Sequence, residues 1–262
     1  MLTAYLDESG QEQEDWAFVA GFVGDDVAWR KLPPLWAEAI GPQRQHLHMA
    51  KLRFVKLSEM HMLRRAATVP AKCGLSPIVG AARFLDYADI IQNDEDASKY
   101  AAYVMCCKIV AVAAMKFMPP NERLEIVLER QDRYGWYAAA AFQDIIENAK
   151  EPQLLMDDGE TSKLASWRFV EKSDTCLCEP ADYLAYALTQ LSRNSRSLKS
   201  RWTSPIIEAT RQFGSSGALN RDVAKNVIVA DKVKHVRSTL KQLRETILNA
   251  EAEHRESQKL NP

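Results

Sequence analysis

Short apolar runs separated by polar turns dominate the first fifty residues. Thr3 to Asp7 and Trp16 to Val23 are rich in strand-forming residues, and the polar turn between them predicts an antiparallel hairpin. His46 to Leu52 alternates apolar and polar positions, which predicts a third strand. From Val27 to Ile40 the apolar residues recur on one helical face, so this stretch predicts a helix.

The next seventy residues have the pattern of helices. One helix is predicted from Phe54 to Ala67, and a second begins at Ser76-Pro77, an N-cap followed by a first-turn proline, and runs to about Ile91. A third, rich in alanine, runs from Asp96 to just before Pro119. Together they predict a helical insertion at about 53–120.

Strands and helices then alternate. The pattern predicts strands from Leu124 to Glu129 and from Leu164 to Val170, and helices from Trp136 to Ala149 and from Pro180 to Leu191. Three strands that can pair antiparallel, followed by two that are separated by helices, are typical of an α/β fold. We therefore expect a mixed sheet of three antiparallel strands and then two parallel ones, in a domain spanning 1–192.

A long helix with a heptad repeat is predicted at 221–256. Its apolar residues recur in steps of four and three at Val229, Val233, Val236, Leu240, Leu243 and Ile247. Such a seam packs on the body of the protein or on a partner. The extension at 193–262 is therefore a candidate for homodimer or partner-protein contact.

Charge divides the chain at about residue 192. Of the 34 Lys and Arg and the 35 Asp and Glu residues, 193–262 holds 14 and 7, a net charge of +7; 1–192 holds 20 and 28, a net charge of −8. A basic end indicates contact with nucleic acid, with a solvated linker as the alternative. The candidate nucleic-acid-binding residues are the densest basic stretch and the aromatic beside it: Arg193, Arg196, Lys199, Arg201 and Trp202.

Several features of the sequence predict a cytoplasmic protein without membrane contact. No apolar run approaches the roughly 18 residues of a membrane span. The first residues lack the basic start and apolar core of a signal peptide. The five cysteines have no framework spacing, which indicates reduced thiols.

Acidic residues occur where predicted strands end or a predicted helix begins. Asp7 and Glu8 end the first strand, Glu129 ends the strand that begins at Leu124, and Asp182 lies in the first turn of a helix. Gathered carboxylates repel unless they share protons or bind a cation. Mg²⁺ or Mn²⁺ would suit such oxygen ligands, and a pair of ions would activate water against a phosphodiester.

Each of these residues also has a simpler interpretation. In this interpretation Asp7 and Glu8 form only a polar turn, and Glu129 is only a solvated strand end. Asp182 would complement the positive end of its helix, since Asp is favoured in a first turn. Their joint occurrence at three such termini favours the metal site.

Four segments resemble motifs of the DUF3800 proteins, a large bacterial and phage family. Residues 5–10, Tyr-Leu-Asp-Glu-Ser-Gly, are similar to its Y-x-D-E-S-G opening, and residues 47–52 to its L-H-x-x-x-L segment. Glu129 falls where the family has an acidic residue, and residues 179–186 resemble its Q-x-A-D-x-x-A-Y signature. The matched frame covers roughly residues 3–190.

The resemblance implies a ribonuclease H-like fold with Asp7 and Asp182 in an acidic cluster. It also implies a metal-dependent nuclease or phosphodiesterase, with a possible role in phage defence or mobile-element biology. The chain departs from the family pattern at Glu179, which replaces Gln, and at Glu129, where a shorter Asp is common. Both departures change the geometry of a two-metal site.

Other residues are further candidates for a functional role beside these acidic residues. His48 matches the family's histidine and is a candidate general base or phosphate ligand, or simply a packed residue. His46 lies on the same predicted strand face, so a transition-metal pair is conceivable without an evident third ligand. Asp132 would replace Glu129 as ligand if the strand register shifted. Cys176 and Cys178 are too close in sequence for a zinc knuckle.

The sequence thus supports three hypotheses. The first is a Mg²⁺- or Mn²⁺-dependent nuclease with Asp7, Glu129 and Asp182 as ligands, Glu8 as ligand or supporting residue, and His48 orienting water or substrate. The second is a non-catalytic scaffold of a defence or mobile-element system that binds through 221–256. The third is an enzyme that uses the same carboxylates on a small phosphorylated substrate.

Overall fold

The computed structural model describes residues 1–9, 16–54, 56–83, 95–116, 118–119, 121–130, 135–147, 163–171, 174–192 and 205–207. Within these ranges the strands are β1 (Leu2–Ser9), β2 (Trp16–Asp25), β3 (Ser76–Arg83), β4 (Leu124–Glu129) and β5 (Leu164–Val170). The helices are α1 (Asp26–Ile40), α2 (Leu57–Ala67), α3 (Val69–Cys73), α4 (Glu95–Lys116), α5 (Gly135–Glu147) and α6 (Glu179–Ser192). A short 3₁₀ turn occupies Met49–Lys51.

The strands form one mixed sheet in the order β3-β2-β1-β4-β5. Strands β1, β2 and β3 pair antiparallel, whereas β4 runs parallel to β1 and β5 runs parallel to β4. The predicted α/β class, with three antiparallel strands followed by two parallel ones, is confirmed. The central strand β1 therefore has one antiparallel and one parallel neighbour, so its polar end meets the ends of strands from both halves of the sheet.

Side chains of β1 alternate between two hydrophobic cores. Ala4 and Leu6 are fully buried against the first core, which α4 and α5 cover. Tyr5 points to the second core, which α1, α2, α3 and α6 cover over β1 and β2. We call these two sides of the sheet the α4 face and the α6 face. The alternation places Asp7 on the α6 face and Glu8 on the α4 face.

Helix α1 follows β2 without a loop. The Asp25 side chain accepts a hydrogen bond from the Ala28 amide at 2.7 Å and so satisfies one of the unpaired amides at the helix start. Pro33 and Pro34 lie inside the helix, yet it continues to Ile40 because its apolar face, including the fully buried Leu32, packs on the α6 face.

The third strand was predicted in the wrong place. Residues 76–83 form β3, not the start of a helix, and pair antiparallel with β2 from Ser76↔Val23 to Arg83↔Trp16. Ser76-Pro77 resembles a helix start, but Pro77 lies near the beginning of an edge strand, where a missing amide is tolerated. The segment 53–120 is therefore not a purely helical insertion, because it contributes an edge strand of the sheet.

The segment at 46–52 is extended and then turns, rather than forming a strand. Leu47 and Met49 are fully buried on alternate positions, which explains the strand-like sequence pattern. Their backbone amides donate to the carboxylates of Glu179 and Asp182 instead of to a neighbouring strand. Side chains of α6 thus accept the backbone hydrogen bonds that a neighbouring strand would accept in a sheet.

The remaining predicted elements lie close to the observed ones. Strands β4 and β5 have the predicted bounds, and α6 begins one residue earlier than predicted. In the described part of the chain, no helix is both long enough and apolar enough to cross a membrane. The predicted heptad helix at 221–256 lies outside the described residues, and of the 193–262 extension only 205–207 is described.

Candidate active site

The parallel pairing of β1 and β4 brings two acidic residues side by side. Leu6 pairs with Leu128, and Asp7 and Glu129 are the next residues of the two strands. Neighbouring strands are about 4.8 Å apart, so these two backbones are close. Val127 belongs to the core of the α6 face. Glu129 is two residues further along the same strand, so its side chain lies on the α6 face, as that of Asp7 does. Both residues are buried.

Helix α6 packs over β1 and β2 and brings in the third carboxylate. Just before the helix, Cys178 lies within electrostatic range of Tyr5. Near its end, the Thr189 hydroxyl donates to the Ser9 hydroxyl at 2.8 Å. Asp182 lies between these points on the helix, as Asp7 does between Tyr5 and Ser9 on the strand. The buried Asp182 therefore lies on the α6 face, in the helix that packs over the strand of Asp7.

Two acidic side chains at the start of α6 hold the 46–49 segment in matching ways. Asp182 Oδ2 is 3.0 Å from His48 Nδ1 and accepts the Met49 amide at 3.0 Å. Glu179 Oε1 is 2.9 Å from His46 Nδ1. Its other oxygen, Oε2, accepts the Leu47 amide at 2.8 Å. We call this arrangement the double clamp.

Buried contacts fix the double clamp in place. Glu179 is fully buried, and its Oε2 also accepts the indole N–H of Trp36 at 2.6 Å. At the far end of the segment, Phe54 stacks on Tyr186 with ring centroids 5.7 Å apart. Glu179 is therefore a packed structural residue with three hydrogen-bonding neighbours.

The contact with Asp182 determines which nitrogen of His48 is available for chemistry. An ionised carboxylate only accepts hydrogen bonds, so Nδ1 of His48 must carry the shared proton. In the neutral imidazole, Nε2 then has the lone pair and is able to take a proton. The side chain is 32% exposed, so the imidazole is partly accessible from solvent. His48 thus has the geometry of an oriented general base.

Glu8 occupies a different environment from the other acidic residues. It points to the α4 face, where the Tyr103 hydroxyl hydrogen-bonds it and its Oε2 is buried without a hydrogen-bond partner among the described residues. Burial, and to a smaller extent the negative charge of Glu129, raise the pKa of the Glu8 carboxyl to about 7. The carboxyl therefore titrates near neutral pH.

The predicted ligands suit a hard divalent cation chemically. Asp7, Glu129 and Asp182 offer carboxylate oxygens, the donors that Mg²⁺ and Mn²⁺ prefer. In the described ranges no three His, Cys, Asp or Glu side chains are close enough together to hold one ion. Since Mg²⁺ usually keeps several waters and takes substrate phosphate oxygens, a cation here would draw part of its coordination from these sources.

The structure brings together some predicted residues and leaves others apart. Asp7, Glu129, Asp182 and His48 belong to the α6 face, whereas Glu8 does not. His46 and His48 lie on one segment as predicted, but each pairs with a different carboxylate. Residues outside the described ranges are Asp132 and the basic set Arg193, Arg196, Lys199, Arg201 and Trp202.

Sequence reasoning missed the partners of the two histidines. The signal was present: Glu179 and Asp182 are three residues apart, on one side of a helix, and His46 and His48 are two apart, on one side of an extended chain. Nothing in the sequence indicated that the two pairs would meet. Trp36, one of the apolar residues of the predicted helix at 27–40, also donates to Glu179.

Comparison of the chain with protein-family models, with curated proteins and with solved structures finds no match in any of the three. The functional argument therefore depends on the geometry of the site.

Proposed function

We propose that this protein is a divalent-cation-dependent phosphodiesterase that acts on nucleic acid. The observation that carries the proposal is the placement of Asp7 and Glu129 on adjacent parallel strands, with Asp182 on the helix that packs over β1. Three acidic residues distant in sequence thus belong to one face of the sheet, and all three are buried.

The sheet supports the proposal at the level of architecture. A central strand with an antiparallel meander on one side and two parallel strands on the other is consistent with a ribonuclease H-like arrangement. Membership of the DUF3800 family is part of the same proposal and depends on the motifs at 5–10, 47–52 and 179–186. A role in phage defence or in mobile elements, and a cytoplasmic location, are proposed on that resemblance and on composition.

Each residue has a defined task in the proposed reaction. Asp7, Glu129 and Asp182 would hold the cation together with water and substrate phosphate oxygens, and the ion when bound lowers the pKa of water and neutralises charge on the phosphate. His48, held by Asp182 through Nδ1, uses Nε2 to accept a proton from the attacking water or to orient a phosphate oxygen. The basic residues of 193–202 would contact the nucleic-acid backbone.

The proposal is tested with Asp7→Asn and Asp182→Asn. Each change keeps the shape of the side chain and removes its charge, so we expect Mg²⁺-dependent cleavage of DNA or RNA to fall about 100-fold or more. Asp26→Asn is the matched control, because Asp26 is an exposed carboxylate on α1. Far-ultraviolet circular dichroism checks that the variants fold.

Calorimetric titration of Mn²⁺ gives a second readout that does not depend on finding the right substrate. We expect the wild type to bind the ion and both variants to lose the binding, while Asp26→Asn retains it. Wild-type cleavage in both Asp7→Asn and Asp182→Asn would overturn the proposal, as would cleavage that is undiminished in EDTA.

A further inference from the structure

A cavity of about 430 Å³ opens on the sheet beside the acidic residues of the α6 face. The polar residues that line it come from β1, from β5 and from the segments after β4 and β5: Tyr5, Arg130, Arg168, Glu171, Asp174 and Thr175. None of these residues has a role in the proposed reaction. The position and the chemistry of the cavity both indicate a binding site.

The strand register fixes the distance from the cavity to the acidic residues. Tyr5 pairs with Val127, and Val127 pairs with Arg168, so these three residues form one row across the sheet. The next row on the same face contains Asp7 and Glu129. Two residues along a strand span about 6.6 Å, a separation comparable to that of neighbouring phosphates in a nucleic-acid strand.

Two guanidinium groups give the cavity its anion-binding chemistry. The Arg168 side chain hydrogen-bonds Glu125 through Nε at 3.1 Å and also contacts the Tyr5 hydroxyl. Arg130 contacts Glu171 through Nε at 3.2 Å. Guanidinium has five N–H donors in a planar fork, so donors of both arginines remain for a phosphate. Tyr5 and Thr175 add hydroxyl donors.

The acidic residues in the lining do not prevent anion binding. Arg130 and Glu171 are 58% and 53% exposed, and exposed ion pairs of this kind contribute little to stability. A phosphate held by two guanidinium groups forms shorter, bidentate hydrogen bonds and would exchange with Glu171. Burial raises the pKa of the Tyr5 hydroxyl, so the phenol is protonated and remains a donor near neutral pH.

We propose that this cavity binds a phosphate group of the substrate strand, one position along from the phosphodiester that is cleaved. This inference rests on the proposed function and adds a subsite to it. Arg130 and Arg168 hold the phosphate oxygens, and Tyr5 and Thr175 complete the contact. The subsite fixes the register of the strand across the carboxylates, and it recognises phosphate rather than base sequence.

The test measures binding of fluorescein-labelled single-stranded DNA and RNA oligonucleotides by fluorescence anisotropy. The full chain is used in EDTA, so that binding is separated from cleavage, and the salt concentration is varied. Each phosphate contact contributes about 0.7 to the slope of log K against log salt for a single strand. We expect Arg130→Gln and Arg168→Gln each to reduce the slope by about that amount, equally for all sequences.

The matched control is Arg30→Gln, which removes an exposed arginine that is also ion-paired, on α1. It should leave the slope unchanged. At constant ionic strength, inorganic phosphate should displace the oligonucleotide more effectively from the wild type than from Arg168→Gln. An unchanged slope in both arginine variants would overturn the subsite, even if Mg²⁺-dependent cleavage persists.

Two further outcomes separate this inference from the proposed function. A chain that binds with the expected arginine-dependent slope, but never cleaves, supports the subsite and overturns the phosphodiesterase. Binding of inorganic phosphate without binding of either oligonucleotide shows a site for free phosphate and overturns the assignment to a substrate strand.

Discussion

Glu179 shows how one buried carboxylate can organise a segment of chain. Its two oxygens hold the Trp36 indole, the Leu47 amide and the His46 imidazole. A fully buried carboxylate would otherwise be strongly destabilising. These contacts compensate its burial and attach 46–49 to α6, so His48 is positioned by a framework that extends beyond its own partner Asp182.

Substitutions at Glu179 should separate hydrogen bonding from charge. In Glu179→Gln the amide oxygen is still able to accept from Trp36 and Leu47, so we expect the free energy of unfolding to fall by about 1 kcal/mol or less. Glu179→Leu leaves two buried N–H groups without an acceptor and should cost about 3 kcal/mol. Urea denaturation measures both. Equal losses in the two variants would show that the charge, not the acceptor, matters.

Glu8 should make the stability of the protein depend on pH. Its pKa is about 7 in the folded protein, against an ordinary value of 4.5, so the folded state binds more protons than the unfolded state between these values. The free energy of unfolding therefore decreases as the pH rises from about 4.5 to 7, by up to about 3 kcal/mol, and this contribution is constant above that range.

The variant Glu8→Gln removes this titration. We expect it to match the wild type at pH 5 and to be more stable than the wild type at pH 8, in urea denaturation with EDTA present. Glu38→Gln, at an exposed position of α1, is the control. If Glu8→Gln and the wild type lose the same stability between pH 5 and pH 8, the assignment of the titration to Glu8 is wrong.

At the residue scale, the sequence predicted which acidic residues would be near strand ends but not which face they would occupy. Asp7 and Glu8 are adjacent in sequence, and strand alternation alone separates them onto opposite faces. Which of the two residues lies on which face depends on which neighbouring side chains are buried. Asp7 and Glu8 are therefore grouped in one site when only the sequence is considered. The double clamp could not be predicted from the sequence, because it depends on contacts between residues more than 130 positions apart.

At the scale of elements, Gly80 explains how an edge strand and a helix fit together. It lies in the middle of β3, and a Cβ built on it would be 2.2 Å from the carbonyl oxygen of Cys106 in α4. The helix backbone thus approaches the strand at a distance that only glycine permits. Gly80 lies within the stretch that was predicted as helix, where its role as a contact point could not be recognised.

Gly80→Ala should therefore be strongly destabilising. The neighbouring atom belongs to helix backbone and cannot rotate away, so we expect a loss of about 3 kcal/mol or more. Gly135→Ala is the matched control, since a Cβ there would be 3.6 Å from Phe169, an ordinary contact. Thermal or urea unfolding of both variants checks the expectation. A Gly80→Ala protein as stable as the wild type would contradict the close approach of α4.

The other elements show why some predictions succeeded. Strands β4 and β5 have apolar residues in patterns of ordinary strand length, so local pattern and final structure agree. The segment at 46–52 has the same kind of local pattern but lies against α6 rather than another strand. Its conformation was decided by tertiary hydrogen bonds, which a local pattern does not contain.

At the scale of the whole molecule, the two faces of the sheet are covered unequally. On the α6 face the helices lie over β1 and β2, whereas Ser166 and Arg168 of β5 are exposed. Glu129 pairs with Val170 of β5, so the candidate carboxylates adjoin the strand that these helices leave exposed. In the proposed function, a polymer strand lies along β5 and reaches the carboxylates from the side.

The mixed order of the sheet has a consequence for how the chain is assembled during synthesis. Strands β1, β2 and β3 are close in sequence, so this half is able to form early, whereas β4 begins only at Leu124. Until then the second edge of β1, with its unpaired backbone N–H and C=O groups, has no native neighbour and is exposed to aggregation. We expect nascent chains shorter than about 190 residues to depend on the ribosome surface or on chaperones, because α6 is the last of the described helices to emerge.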